Sequence, residues 1–120
     1  MSKSWTAQIN VCISPPGPES QSLLRRMRRV VGQSNYIGLY GITLVDGQGS
    51  YVLDADGNVY LDCLAAASCN ILGYSFAEIA NTYHQVATKI QHSCFPYSPS
   101  LQAIELAEQL IQITPGDDEQ

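Results

Sequence analysis

The feature that most constrains the fold is a β-hairpin pattern in the middle of the chain. Residues 50–54 and 58–62 are rich in β-branched and aromatic residues, which favour extended strands. Between them lie residues 55–57, and Gly57 can take the positive φ that a tight turn requires. The sequence therefore predicts a hairpin over about residues 50–62, and a short strand near residues 43–45 is expected to join it.

Three other segments carry apolar residues at helical spacing, namely residues 19–31, 76–91 and 99–113. Together with the hairpin they predict an α+β fold. Its elements are an N-terminal helix, a small antiparallel sheet, and two further helices at about 76–91 and 99–113.

Polar residues mark where the last two helices should begin. Ser75 and Glu78 have the spacing of a capping box, in which each side chain accepts from a free N–H at the helix start. Ser98 and Pro99 are typical of an N-cap followed by proline at the first helical position. We therefore predict caps at Ser75 and Ser98.

The ends of the chain differ in composition from its middle. Residues 1–18 have no period and contain a proline cluster, so we expect an extension that need not be ordered, in which Trp5 has no evident packing partner. Residues 117–120 form an acidic tail. The organised segment is expected to be residues 19–116.

The charge balance argues against polyanionic partners. The net charge is −5, which gives no general attraction to nucleic acid or to an anionic membrane. The one basic block, residues 25–29, lies within the first predicted helix and is best explained as its solvated face. We therefore expect neither nucleic acid nor membrane as a partner, and no segment has the length of a transmembrane span.

The cysteines and the N-terminus bear on location. The four cysteines match no CxxC spacing, and no apolar run near the start resembles a signal peptide. We expect a cytoplasmic protein whose thiols are free and mostly buried.

The polar motifs taken alone indicate no chemistry. Residues 54–58 invite a calcium-loop interpretation, but the glycine is fourth rather than sixth and Ala65 occupies the position of the required glutamate. Hairpin-turn chemistry explains the motif better. His84 and His92 are the only histidines, too few for a zinc site without cysteine ligands, and no glycine-rich nucleotide motif occurs. The residues thus predict no metal site and no catalytic group.

A family resemblance adds what the patterns do not. Residues 49–62 resemble the segment that class-III aminotransferases write as G-x-x-V-x-D-x-D-G-x-x-Y-L-D. Residues 70–76 resemble the N-N-L-G-H-x-H motif that follows, although Tyr74 and Phe76 stand where that motif has histidines. Further matches follow in order: an aromatic loop at residues 95–97, L-A-E-x-L at residues 106–110, and T-P-G at residues 114–116.

The resemblance implies a homodimeric, fold-type-I enzyme that uses pyridoxal phosphate to move an amino group from an amine or ω-amino acid to a keto acid. In that family the phosphate-binding segment and the Schiff-base lysine come later in the chain. Here the only lysines are Lys3 and Lys89, and neither lies in sequence that predicts a desolvated pocket. We therefore expect no cofactor to be bound by this chain alone.

The resemblance also implies substrate-binding positions. Tyr36 and Tyr40 would line the substrate pocket, and Ala67, Ser68 and Cys69 would form the loop that meets the side chain of the amine. The alternative is that the tyrosines pack on a sheet edge and the small residues lie under a neighbouring helix.

Two functions stay open on the sequence alone. The first is an N-terminal fragment of an aminotransferase that is inactive by itself; the second is a stand-alone, non-catalytic binding or dimerisation module built on the same scaffold. Expected partners are a second copy, as a homodimer or an element-swapped oligomer, and the missing cofactor domain. A fragment should expose apolar surface that its missing domain would cover.

Overall fold

The computed structural model describes residues 4–32, 34 and 36–116. It divides into two units, Met1–Ala80 and Asn81–Gln120. The predicted α+β class is confirmed, with a helix, a three-stranded antiparallel sheet and further helices.

The sheet belongs to the first unit and has the strand order β1-β2-β3. Its strands are β1 (Leu44–Gln48), β2 (Tyr51–Asp54) and β3 (Val59–Leu61). In the β2–β3 hairpin, Val52 pairs with Tyr60. Strands β1 and β2 are also antiparallel, and their pairing has one irregularity, between Leu44 and Asp46. The hairpin prediction is confirmed, and it fixes the position of the turn at residues 55–58.

Helix α1 (Pro18–Val30) precedes the sheet and also matches its prediction. Proline at its start and Glu19 in its first turn suit the positive end of a helix, while Arg28 and Arg29 suit the other end. Its buried positions are Ser20 and Leu24. The buried hydrophobic residues of the described chain are Leu24, Val52 and Val59, one of them on α1 and two on the hairpin strands.

The segment before α1 contacts the sheet. Asn10 pairs with Val59 through backbone hydrogen bonds of 3.0 and 2.7 Å. Trp5 Nε1 donates to Asp46 Oδ2 at 2.8 Å, which gives the tryptophan a partner that the sequence did not indicate. The division of the chain into extension, segment and tail stays a prediction, and residues 117–120 lie outside the described residues.

Two helices follow the sheet: α2 (Ala77–Ala87), which starts in the first unit and continues into the second, and α3 (Leu101–Ile113). Both predicted caps are wrong. Ser75 lies two residues before α2 and donates its hydroxyl to the carbonyl of Gly47 at 2.7 Å. The N-cap of α3 is Ser100, whose side chain accepts from Ala103 N, because the helix starts two residues later than predicted.

Neither α2 nor α3 has a buried residue. The exposed large hydrophobic side chains include Ile79, Tyr83, Leu106, Leu110 and Ile113. The apolar stripes that predicted these helices are therefore uncovered within the described chain.

The cysteines correct a further expectation. All four thiols are free, as expected, but Cys12, Cys63, Cys69 and Cys94 are exposed rather than buried. In the described part of the chain, no helix combines the length and apolar character needed to cross a membrane.

Candidate functional site

The hairpin turn is organised by the carboxylate of Asp54, which is only 1% exposed. Its Oδ1 accepts from the backbone N–H groups of Asp56 and Asn58 at 2.9 and 2.8 Å. Its Oδ2 accepts from Asn58 Nδ2 at 2.9 Å and from the Tyr60 hydroxyl at 2.8 Å. These donors offset the cost of burying a carboxylate, so the turn is a closed polar network.

The next two polar residues of the turn bind the segment before the sheet. Asp56 accepts from the backbone N–H groups of Glu19 and Ser20 at 2.8 and 2.9 Å. It therefore caps α1, whose own N-cap Gly17 has no side chain. Asn58 Oδ1 accepts from the N–H groups of Cys12 and Ile13, each at 2.9 Å.

Close packing at Gly17 follows from this capping. A Cβ at residue 17 would overlap the side chain of Asp56. The motif of residues 54–58 thus stabilises the scaffold. Among the described residues, no group of three or more histidine, cysteine or acidic side chains could hold a metal ion.

The segment after β3 has an unusual backbone. Ala65, Ala66, Ala67 and Ser68 all have positive φ, between 49° and 68°. Ser68 N donates to Leu64 O, and Asn70 N donates to Ala65 O, each at 3.0 Å. The segment is thus one left-handed turn, which L-residues adopt at a cost of about 1–2 kcal/mol each. Backbone of this kind is concentrated at functional sites.

Asp62 holds the start of this segment and is itself hydrogen-bonded to Tyr74. Asp62 Oδ1 accepts from Leu64 N at 2.8 Å and from Ala65 N at 3.0 Å. Its Oδ2 accepts from the Tyr74 hydroxyl at 2.8 Å. Tyr74 pairs in turn with Gly49 through two backbone hydrogen bonds, so the carboxylate connects the left-handed turn to the end of β1.

These contacts shift the acidity of both partners. The hydrogen bond from Tyr74 lowers the pKa of Asp62, and the same bond raises the pKa of Tyr74. In the hairpin network, burial and the hydrogen bond to Asp54 raise the pKa of Tyr60 to about 12. Both phenols therefore stay protonated as donors at neutral pH.

A cavity of about 740 Å³ opens between the sheet and the left-handed turn, within the first unit. Its lining is mostly aromatic and aliphatic, and Asp62 is the one charged residue among the described residues that line it. The residues that line it are Pro15, Tyr36, Leu39, Tyr40, Gly41, Ile42, Leu44, Val52, Tyr60, Leu61, Asp62, Cys63, Leu64, Ala66 and Tyr74. Sites for small organic ligands have this character, with an apolar wall and few polar groups.

The structure brings together only some of the predicted site residues. Tyr36 and Tyr40 both line the cavity. Ala67 and Ser68 on the left-handed turn and Cys69 just after it are exposed and do not line the cavity, whereas Ala66 does. Whether any of them contacts a substrate stays a prediction.

The sequence did not single out Tyr74 or Asp62 as site residues. A tyrosine at a histidine position of the family pattern was the available signal. Its hydrogen-bond partner, 12 residues earlier in the chain, could be identified only from the structure.

Comparison with known proteins identifies the family. Residues 33–120 match the class-III aminotransferase family. The chain belongs to that family. It is 32% identical, over 88% of its length, to an alanine/serine racemase from Pyrococcus horikoshii. It is 38% identical, over 63% of its length, to adenosylmethionine-8-amino-7-oxononanoate aminotransferase from Staphylococcus aureus.

The fold agrees with that assignment. An omega-transaminase structure from Sphaerobacter thermophilus superposes on 88% of the chain with a TM-score of 0.70 and 27% identity. The chain spans only part of these proteins, namely 22% of the racemase, 17% of the aminotransferase and 24% of the omega-transaminase. It corresponds to an N-terminal segment of a class-III aminotransferase.

Proposed function

We propose that this segment forms one wall of the substrate site in a pyridoxal-phosphate-dependent enzyme. That enzyme would move an amino group from an amine or ω-amino acid to a keto acid. The observation that carries the proposal is the apolar, tyrosine-lined cavity beside the left-handed turn, because it offers a binding surface without a nucleophilic amine.

The residues of the chain do not fit the cofactor. When bound in the family's complete enzymes, pyridoxal phosphate supplies an electron sink and needs a lysine to carry it. Among the described residues, no lysine or arginine lines the cavity. Lys89 is exposed and follows the end of α2 in the second unit, and Lys3 lies outside the described residues. We therefore propose that the chain is not catalytic alone.

The exposed apolar stripes favour a fragment over the stand-alone module. Two stripe residues of α3, Leu106 and Ile113, are 56% and 78% exposed. Large apolar side chains at helical spacing normally face a core. A stand-alone module would cover these side chains, whereas a segment of a larger enzyme would place them against the rest of that enzyme or against a second copy.

Partners follow from the same surface. We propose the cofactor domain of the complete enzyme as the principal partner and a second copy of the chain as the next. We also propose a cytoplasmic location, because all four cysteines are free.

A chimaera tests the proposed function. The chain would replace the aligned N-terminal segment of the Pyrococcus horikoshii racemase, and the product would be loaded with cofactor. With a keto acid supplied as the amino acceptor, we expect the amine to be converted to its oxo product as the keto acid is converted to the amino acid. Interconversion of amino-acid enantiomers is the second activity to measure, because the 32% identical relative is named a racemase. A folded, cofactor-loaded chimaera without either activity would contradict the proposal.

Two substitutions make the test specific to the cavity. Tyr36→Ala should raise KM for the amine, because Tyr36 lines the cavity. Tyr83→Ala is the matched control, since Tyr83 is 74% exposed on α2 and does not line the cavity. Equal effects of the two substitutions would show that the cavity does not face the substrate.

A further inference from the structure

Tyr74 is held in place by contacts that do not involve its hydroxyl. Its backbone N–H donates to Gly49 O at 2.8 Å, and its carbonyl accepts from Gly49 N at 3.0 Å. Its ring fills the space beside Gly47, where an added Cβ would lie 2.5 Å from Tyr74 Cγ. The hydroxyl is thus presented from a fixed ring.

The hydroxyl donates to the carboxylate of Asp62, whose orientation is not fixed by its own covalent structure. The Asp62 carboxylate can turn about its bond to Cβ. One oxygen accepts from Tyr74, and the other accepts from Leu64 N and Ala65 N. Fixing the first oxygen therefore fixes the orientation of the second.

The turn that Asp62 caps needs such support. Residues 65–68 adopt a left-handed conformation that is unfavourable for L-residues, and conformations of this kind persist only where their surroundings determine them. Ala66 of this turn lines the cavity. The carboxylate thus caps a turn that forms part of one cavity wall.

We propose that Tyr74 is a positioning residue that holds the cavity wall in its binding shape through the Asp62 carboxylate. The inference deepens the proposed function, on which it rests for the statement that this wall meets a substrate. A tyrosine hydroxyl lies farther from Cα than the ring N–H of the histidine that the family pattern has at this position. A histidine there would therefore not place its donor where the Tyr74 hydroxyl lies.

Amide hydrogen exchange of the intact 120-residue chain, followed by NMR, tests the proposal without cofactor or substrate. Tyr74→Phe removes the hydroxyl and keeps the ring. We expect the amides of Leu64, Ala65 and Ser68 to exchange roughly tenfold faster, the factor typical of losing a hydrogen bond to a charged group. Amides of the β2–β3 ladder should keep their rates.

The chain contains a matched control. Tyr60 donates to an aspartate at the same distance, 2.8 Å, but that aspartate holds the hairpin turn. Tyr60→Phe should therefore speed exchange at Asp56 and Asn58 and leave Leu64 and Ala65 unchanged. Unchanged exchange rates at Leu64 and Ala65 in Tyr74→Phe would overturn the proposal. A uniform rise of the exchange rates over the whole first unit would also overturn it, because it would show a general loss of stability.

Two further measurements separate positioning from general stability. The Cα and Cβ chemical shifts of Ala65–Ser68 report the left-handed conformation, and Tyr74→Phe should move them towards averaged values while the shifts of β2 stay fixed. In the chimaera, Tyr74→Phe should raise KM for the amine at least threefold with little change in kcat. A fall in kcat with constant KM would overturn the positioning role.

The two proposals fail in different ways. If Tyr74→Phe loosens the turn but the chimaera is inactive, the proposed function is wrong and the role of Tyr74 in fixing the turn stands. If the turn does not respond, the positioning role is wrong, whatever the activity of the chimaera.

Discussion

Two aspartate–tyrosine pairs in this chain use the same chemistry in different surroundings. Tyr60 donates to Asp54 and Tyr74 donates to Asp62, each at 2.8 Å. Asp54 is buried within the hairpin turn, whereas Asp62 is half-buried at the rim of the cavity. The first pair stabilises the hairpin turn. The second restrains the turn of residues 65–68, whose left-handed conformation is unfavourable for L-residues. The same kind of hydrogen bond thus supports the buried hairpin turn in one place and the left-handed turn in the other.

The largest expected effect concerns the hairpin turn. Asp54→Ala should lower the free energy of unfolding by about 3 kcal/mol or more, because it removes an acceptor from four donors in a buried network. Urea unfolding measures the loss. Asp46→Ala is the control, since Asp46 is exposed on the same sheet, and a loss as large there would remove the distinction.

The next effect concerns Asp56, which joins the hairpin turn to α1. Burial would raise its pKa, but hydrogen bonds from Ser20 and Glu19 outweigh it and the pKa is lowered. A carboxyl whose pKa is lower in the folded state than in the unfolded state stabilises the fold at pH values above its unfolded pKa. That stabilisation is lost as the pH falls through the folded pKa. We expect the midpoint of urea unfolding to fall when the pH drops below the ordinary value of 3.8.

Asp56→Asn sharpens this prediction, because it retains the shape of the side chain and removes the charge. The variant should unfold at lower urea than the parent at pH 7, and its midpoint should depend less on pH below 3.8. An equal pH dependence in parent and variant would show that Asp56 does not cap α1 as a carboxylate.

A smaller effect, of opposite sign, tests the strained turn. Ala66→Gly should stabilise the chain by about 1 kcal/mol, because glycine has no penalty at positive φ although it loses more entropy on folding. Ala80→Gly is the control within the right-handed helix α2, where glycine should cost about 1 kcal/mol. If both substitutions destabilise the chain equally, the turn is not left-handed in solution.

The smallest effect is at Trp5, the single tryptophan. Its hydrogen bond and that of Gly47 N lower the pKa of Asp46. The contact is therefore present at neutral pH and is lost as the pH falls below 3.8. Tryptophan fluorescence should change in that range, and Asp46→Asn should abolish the change. A transition that persists in Asp46→Asn would assign it to another group.

The predictable part of the molecule is the part governed by local patterns. The β-prone runs on either side of Gly57 predicted the hairpin, and apolar spacing predicted α1 and α3 to within about two residues. The predicted cap at Ser75 is wrong because the helix starts at Ala77, and the Ser75 hydroxyl instead donates to the carbonyl of Gly47, far away in the sequence. A local rule has no access to such a competing partner.

The site was less predictable for the same reason. Alanine is the best right-handed helix former, so nothing in residues 65–67 indicates a left-handed turn. The capping of α1 by Asp56 spans 36 residues between Ser20 and Asp56. Tyr36 and Tyr40 came from the family resemblance, and their position in the cavity could be found only from the folded chain.

The most direct test of the central claim is whether the chain can hold the family's cofactor covalently. Pyridoxal phosphate would be added in slight excess, reduced with borohydride and followed by peptide mass spectrometry, with Lys89→Arg as the control. Because no lysine of the described residues lines the cavity, the predicted result is at most a trace of adduct, with no visible absorbance band that survives dilution. A stoichiometric adduct on Lys89, absent from Lys89→Arg, would contradict the claim that this segment supplies a substrate wall and leaves the cofactor to the rest of the enzyme.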